Sequence, residues 1–416
     1  MNKTFLLWLA CSGLTMPAVA QDLDFALPES VGLSSAVLDT ATARLQRHID
    51  NNAIPGAVAA VARDSKIVYF QALGMQDVQN RVPLPDNTLF RQYSMTRQIT
   101  STAVLMLWEQ GHFEFDDPIK MYLPRFEGQQ VFVNPDNPDL SQTRERTGDI
   151  TVAHLLTHTS GIGSRSSAIY RDNNVRDRNI TLQQMADNAA GLPLFEDPGT
   201  RFRYGISTTI LGLLVEVWSG MPFEDYLQEN IFEPLQMSDT VFHVDPSRAD
   251  RLAVVYRPDG SALAPYRIEP VPFTDEPALI EGGVGLVSTA MDYLRFSQMV
   301  LNKGVLNGNR IMEEATAELY YRNAVPERLL PLNTRGYWLG SGWSLGGFNV
   351  VLNETAYDHP VSSGTIWWDG SAGTRYWIDP AQNMAIVVMA QISPAHGDGF
   401  REDFKRLVNG SILQRR

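Results

Sequence analysis

The order of periodic segments predicts an α+β chain, in which one antiparallel sheet is assembled from both ends of the sequence and flanked by helices. A mainly helical region is inserted between the two ends. Three observations predict this: strand-like runs follow an N-terminal helix, strands dominate again in the last third, and the long middle carries helical spacing. The chain has 416 residues, 44% apolar and 19% charged, enough for a large buried core and outside the disordered range. No internal repeat is visible.

Each element has its own signal. Ser34 reads as an N-cap, followed by Val37, Leu38, Ala41, Leu45 and Ile49 at helical spacing. Residues 57–62 and 67–73 read as strands around a polar turn at 63–66. From Ser94 a helix apolar on every side is expected, with Ile99, Ala103, Met106 and Leu107 on one face and Val104, Leu105 and Trp108 elsewhere. Residues 127–149 are polar and rich in Pro and Asn, and read as a surface excursion. Residues 165–178 are charged and aperiodic, and read as a solvated loop. Helical spacing resumes at 207–218, stopped by Gly220, and at 289–301. Strands follow at 340–345, 374–378 and 384–389, and a closing helix carries Phe400, Phe404, Leu407, Val408 and Ile412. Residues 21–93 and about 280–416 would then hold the sheet, and 94–279 the mainly helical part.

The N-terminus reads as an export signal over residues 1–20. Lys3 supplies the positive charge, Phe5 to Ala10 begin a short apolar core, and Ala18-Val19-Ala20 is a small-residue cleavage site before Gln21. Cys11, the single cysteine, would leave with it; Trp8-Leu9-Ala10 is a poor lead-in for a lipid-anchor cysteine. A mature chain without thiols excludes cysteine catalysis, disulfides and thiolate metal sites. No later run reaches the roughly 18 apolar residues of a membrane span. A periplasmic or secreted location is expected. The net charge of −13 argues against nucleic acid as a partner.

Three short motifs carry chemistry. Ser94-Met95-Thr96-Arg97 opens the apolar helix, so Ser94 and Arg97 share a face and the serine sits at the positive end of the helix dipole. Tyr204-Gly205-Ile206-Ser207 opens another helix after Asp197-Pro198-Gly199. Trp368-Asp369-Gly370-Ser371 lies just before the strand at 374–378, and a glycine beside a sheet edge lets a substrate approach backbone N–H groups. Taken singly, Ser94 reads as an N-cap serine and Tyr204 or Trp368 as core aromatics; their order and spacing favour a site. His154 and His158 have the i, i+4 spacing of metal ligands, but no glutamate follows His154, and they read as structural. No Gly-x-Ser-x-Gly elbow occurs. Nothing calls for a metal or an organic cofactor.

In this order the motifs resemble the serine β-lactamase and penicillin-binding-protein superfamily, and are most similar to class C β-lactamase-like esterases. The runs Leu89-Phe90-Arg91, Asp116-Asp117-Pro118-Ile119, 150–162 and 283–289 extend the resemblance over nearly the whole mature chain. It implies a β-lactamase/DD-peptidase-like fold. It also implies that Ser94 is an acylated nucleophile, Tyr204 a second base, and the backbone N–H groups of Ser94 and Ser371 an oxyanion hole. Trp368-Asp369-Gly370 stands where relatives have Lys-Thr-Gly, with Trp368 and Gly370 lining the substrate side. Three departures follow. Arg97 occupies the lysine position, and arginine cannot serve as a base; its charge would instead lower the Tyr204 pKa and leave a phenolate to do that work. Ile206 replaces a common asparagine, with Ser207 the available substitute. Asp369 would bring a carboxylate near the oxyanion. The function implied is an exported serine hydrolase of esterase or amidase type, acting on a small-molecule ester or amide. The alternative is a catalytically degenerate relative that binds a cell-wall peptide or other small ligand.

Overall fold

In the computed structural model the described residues are 23–269, 271–332, 338–357, 359–395 and 399–415. The expected leader, with Cys11, lies outside them.

The chain opens with β1 (Asp24–Phe25) and helix α1 (Ser35–Asp50), whose first turn is capped by the Ser34 side chain accepting from the Val37 N–H. The hairpin of β2 (Gly56–Arg63) and β3 (Lys66–Asp77) follows. The last third supplies β4 (Ser341–Trp343), β5 (Asn349–Val351), β6 (Ile366–Asp369), β7 (Thr374–Asp379) and β8 (Met384–Met389). The sheet order is β1-β3-β2-β8-β7-β6-β5-β4, with Val82–Pro83 added against β3. The two ends meet where β8 pairs antiparallel with β2 from Met384↔Arg63 to Met389↔Val58.

The sheet is therefore built from both ends and antiparallel through its centre. One edge departs: β1 runs parallel to β3. Two further strands, β5 and β6, were not expected, and β6 carries Trp368 and Asp369 themselves.

Every residue of β2 is buried, because helices cover both faces of the central strands. On one face α1 packs against the closing helix α5 (Phe400–Gly410); on the other lies α4 (Ala290–Leu301), capped by Thr289. The apolar helix is α2 (Thr96–Glu109), buried from Thr96 to Leu107, and α3 (Ser207–Ser219) packs beside it before Gly220 ends it at φ 73°. Residues 127–149 include a two-stranded ribbon, Val131–Phe132 with Thr143–Arg144.

Side chains alternate along β6 and β7, so neighbouring residues serve opposite faces. Trp368 and Tyr376 turn toward α4, where Tyr376 packs on Tyr293 at 4.9 Å between ring centroids. Asp369 turns the other way and accepts a 3.0 Å hydrogen bond from Arg401 of α5. The pair is buried, with side-chain exposures of 2% for Arg401 and 8% for Asp369. Removing one partner strands a buried charge. Arg401→Met is expected to lower unfolding stability by about 3–5 kcal/mol in urea titrations. Arg44→Met, which breaks the more exposed pair with Asp403, should cost about 0–1 kcal/mol.

Candidate active site

The serine turn is set by a short pairing of Phe90–Arg91 with Val287–Ser288. Immediately after it Tyr93 adopts φ 44°, a left-handed conformation that a bulky residue holds only when its surroundings enforce it. That reversal starts the turn Tyr93–Met95 and feeds α2. Tyr293 Oη donates to the Met95 carbonyl at 2.8 Å and Thr96 Oγ1 accepts from the Leu286 N–H at 3.1 Å, pinning the turn from outside. Between Gln92 and Leu107, Ser94 is the one residue that is not buried.

One helical turn on, Arg97 lies beneath Ser94 and is only 5% exposed. Its Nη1 donates to the Gly205 carbonyl at 2.9 Å and to Thr208 Oγ1 at 3.0 Å, while Nε has no partner. It makes no salt bridge among the described residues. The guanidinium lies 4.3 Å from the centroid of the Tyr204 ring, a cation–π contact in a desolvated setting. Burial depresses the Arg97 pKa, but arginine starts so high that it stays charged.

The Tyr204 hydroxyl accepts from Trp368 Nε1 at 3.0 Å, and Tyr204 lines the same small cleft as Ser94. His158 and Trp368 pack on its ring at 4.7 and 5.2 Å. Burial pushes the phenol upward, and the Arg97 charge, Ser94 and Trp368 pull it down. Burial wins, so Tyr204 titrates above its ordinary value. This corrects the expectation that Arg97 would leave a phenolate at rest: the guanidinium offsets only part of the desolvation cost. His158, also buried, is held well below its ordinary pKa and is neutral.

The third motif is partly relocated. Trp368 and Asp369 belong to β6, and only Gly370 and Ser371 lie in the β6–β7 turn. The Asp369 carboxylate, expected near the oxyanion, faces the opposite side of the sheet against Arg401. Gly370 is required by contact, since a Cβ there would meet the Gln92 carbonyl oxygen at 2.3 Å. The sheet edge and the serine turn are thus in backbone contact.

Ser207 is a second correction. As the first residue of α3 it is fully buried, and its Oγ lies 2.9 Å from Ser160 Oγ, away from the cleft. The cleft itself, about 70 Å³, is lined by Ser94, Arg97 and Tyr204 together with Ser164, Arg165, Thr209 and Glu281. Ser164, Thr209 and Glu281 were missed, while Arg165 comes from the segment 165–178 at the mouth of the cleft. That segment is only partly solvated. Arg165 reaches Glu269 at 3.2 Å, and Arg176 reaches Glu269 at 3.1 Å and Glu281 at 2.7 Å. Arg178 covers Phe273. Of the two histidines, His154 closes a capping box with Thr151.

Residues 41–409 match the Beta-lactamase family. Relatives include Esterase EstB of Burkholderia gladioli, 29% identical over 361 residues that span 80% of this chain and 85% of EstB. The monacolin J acid methylbutanoyltransferase of Aspergillus terreus is 26% identical over 380 residues, 84% of this chain and 89% of the transferase. Among solved structures, that of EstCE1, a hydrolase with promiscuous acyltransferase activity, superposes with a TM-score of 0.77 at 24% identity. It covers 91% of this chain and 99% of EstCE1, a likeness of fold.

The balance at Tyr204 can be measured. In a 295 nm titration, the absorbance removed by Tyr204→Phe should appear only above about pH 10, the ordinary tyrosine value. In Arg97→Met it should appear at still higher pH.

Proposed function

Because this chain belongs to the Beta-lactamase family, we propose that it is an exported serine hydrolase of esterase type, using Ser94 to form an acyl-enzyme. The observation that carries the reading is the single small cleft that brings Ser94 together with Tyr204, whose oxygen accepts from the Trp368 N–H and whose ring is backed by Arg97. Ser94 Oγ attacks the ester carbonyl carbon while its proton passes to a Tyr204 phenolate. The oxyanion is received by the backbone N–H groups of Ser94 and Ser371. Collapse breaks the bond to the alcohol, which leaves with the proton held by Tyr204. Water then attacks the acyl carbon and gives a proton to Tyr204; collapse breaks the acyl bond to Ser94 Oγ, which takes that proton, freeing the acid and restoring the phenolate. An alcohol in place of that water would complete an acyl transfer by the same steps.

Arg97 is not a base in this scheme. It supplies a fixed positive charge that stabilises the phenolate formed in passing. Kinship with EstB and a tryptophan, Trp368, at the strand position both support an ester substrate over a β-lactam. The leader at residues 1–20 supports export.

A second reading is favoured by one specific finding. At neutral pH neither motif residue beside Ser94 is a free base, since Arg97 is protonated and Tyr204 neutral. The alternative is a catalytically degenerate protein whose cleft binds a cell-wall peptide or another small ligand.

Hydrolysis of 4-nitrophenyl butyrate, paired with fluorophosphonate labelling read by intact mass, separates the two. For the enzyme, Ser94 takes a full adduct and Ser94→Ala loses turnover. Its kcat/KM should climb with pH between 7 and 10, because only the deprotonated fraction of Tyr204 is competent. Tyr204→Phe should lose about 10²–10⁴-fold and flatten the profile. Turnover unchanged in Ser94→Ala would sink the assignment. No adduct in the wild type, with one in Arg97→Lys, would establish the degenerate site.

A further inference from the structure

On the face of the sheet turned away from Ser94, a cavity of about 280 Å³ lies between β5–β7, Tyr357, Val361 and helix α5. Val351, Val361 and Trp377 supply apolar walls, and Glu402 stands at the rim. One buried cation, Lys405 of α5, is 1% exposed and reaches into this space.

Charges elsewhere on this face are matched. Arg401 is held by Asp369 at 3.0 Å, and Arg375 forms a salt bridge with Glu402. The carboxylate of Asp379, whose charge acts on Lys405 from β7, accepts from Ser362 Oγ at 2.9 Å and the Gln382 N–H at 3.1 Å. Among the described residues Lys405 has a single hydrogen-bond partner, Asn409 Oδ1 at 3.0 Å, and no salt bridge. An ammonium carries three donors, so two remain. Trp377 offers little compensation, since its ring centroid is 6.0 Å from Nζ, the outer limit of a cation–π contact. Burial accordingly pushes the Lys405 pKa down to about 8, with Arg415 and Arg375 adding repulsion. A buried ammonium with spare donors, faced by Asp379 but in no salt bridge among the described residues, is costly unless something else completes it.

We infer that this cavity is a binding site for a small monocarboxylate with an aromatic or branched aliphatic body, its carboxylate on Lys405 Nζ and its body against Trp377, Val351 and Val361. The charge pattern selects this class. One cation with two spare donors suits a single carboxylate, Glu402 and Asp379 disfavour a dianion such as phosphate, and Lys405 with Arg375 repels a cationic ligand despite the aromatic walls. The site is independent of Ser94 and of the hydrolase proposal.

Phenylacetate and its neutral isostere phenylacetamide test it, using tryptophan fluorescence and calorimetry at pH 7. Saturable binding of phenylacetate is expected in the wild type and in protein whose Ser94 is blocked by fluorophosphonate or replaced by alanine. Phenylacetamide should bind at least about tenfold more weakly, the loss expected for a charge-assisted hydrogen bond, and so should phenylacetate to Lys405→Met. The carboxylate–amide comparison in the wild type decides the matter even if Lys405→Met does not fold. Absence of saturation at about 10 mM, equal binding of acid and amide, undiminished binding to folded Lys405→Met, or competition by the Ser94 adduct would each overturn the inference.

Discussion

A guanidinium buried without a counter-anion is the constraint around which the cleft is organised. Arg97 rises from the first turn of α2, and everything that touches it compensates with dipoles or π density rather than formal charge. Gly205 offers a carbonyl, Thr208 a hydroxyl and Tyr204 the face of its ring. Glycine at 283 keeps the space open, since a Cβ there would lie 2.7 Å from Thr209 Oγ1 and 3.6 Å from both terminal nitrogens of Arg97. A carboxylate in that space would form a closed ion pair and quench the field at Tyr204. Neutral partners leave the positive potential directed at the phenol and the serine above it.

The sheet determines what else reaches this point. Alternation along β6 sends Trp368 to Tyr204 and Asp369 to Arg401, so one strand supplies an N–H donor to the cleft and an ion pair to the opposite face. The backbone contact of Gly370 with Gln92 then joins the end of β6 to the serine turn. A shift of β6 by one residue would exchange the two side chains, placing a carboxylate beside the nucleophile and an indole against Arg401. Register in this strand thus decides the electrostatics of the cleft.

What could be read from the sequence was local. Ser34 is a capping residue, the 57–62 and 67–73 runs pair as a hairpin, and the spacing of Ser94 and Arg97 is a property of one helical turn. The misses have a common physical cause, in that they depend on partners far along the chain. Arg165 and Arg176 look solvated among their neighbours because Glu269 and Glu281 lie about a hundred residues on. Ser207 follows the tyrosine motif, but the helix turns it toward Ser160. Strand β6 was overlooked because Ile366, Trp367 and Trp368 are apolar in succession, the mark of a strand covered on both faces, where alternation is invisible. The raised pKa of Tyr204 was out of reach for another reason: the sign depends on whether burial or one charge is larger, and sequence gives the charge without the burial.

Composition acquires meaning against this background. The chain holds 29 arginines and five lysines, and among its described cations that are buried without a salt bridge are both kinds, Arg97 and Lys405. Desolvation acts on both in the same direction. Arginine begins so far above neutrality that the loss leaves its charge intact, which suits a position whose task is to hold a phenol under constant positive potential. Lysine begins lower, and the same burial brings Lys405 to about 8, where proton and counter-ion are coupled. Exchange at position 97 would turn a permanent charge into a conditional one and a field into a base. At position 405 the exchange would run the other way, fixing a charge that burial has made responsive to whatever anion approaches it.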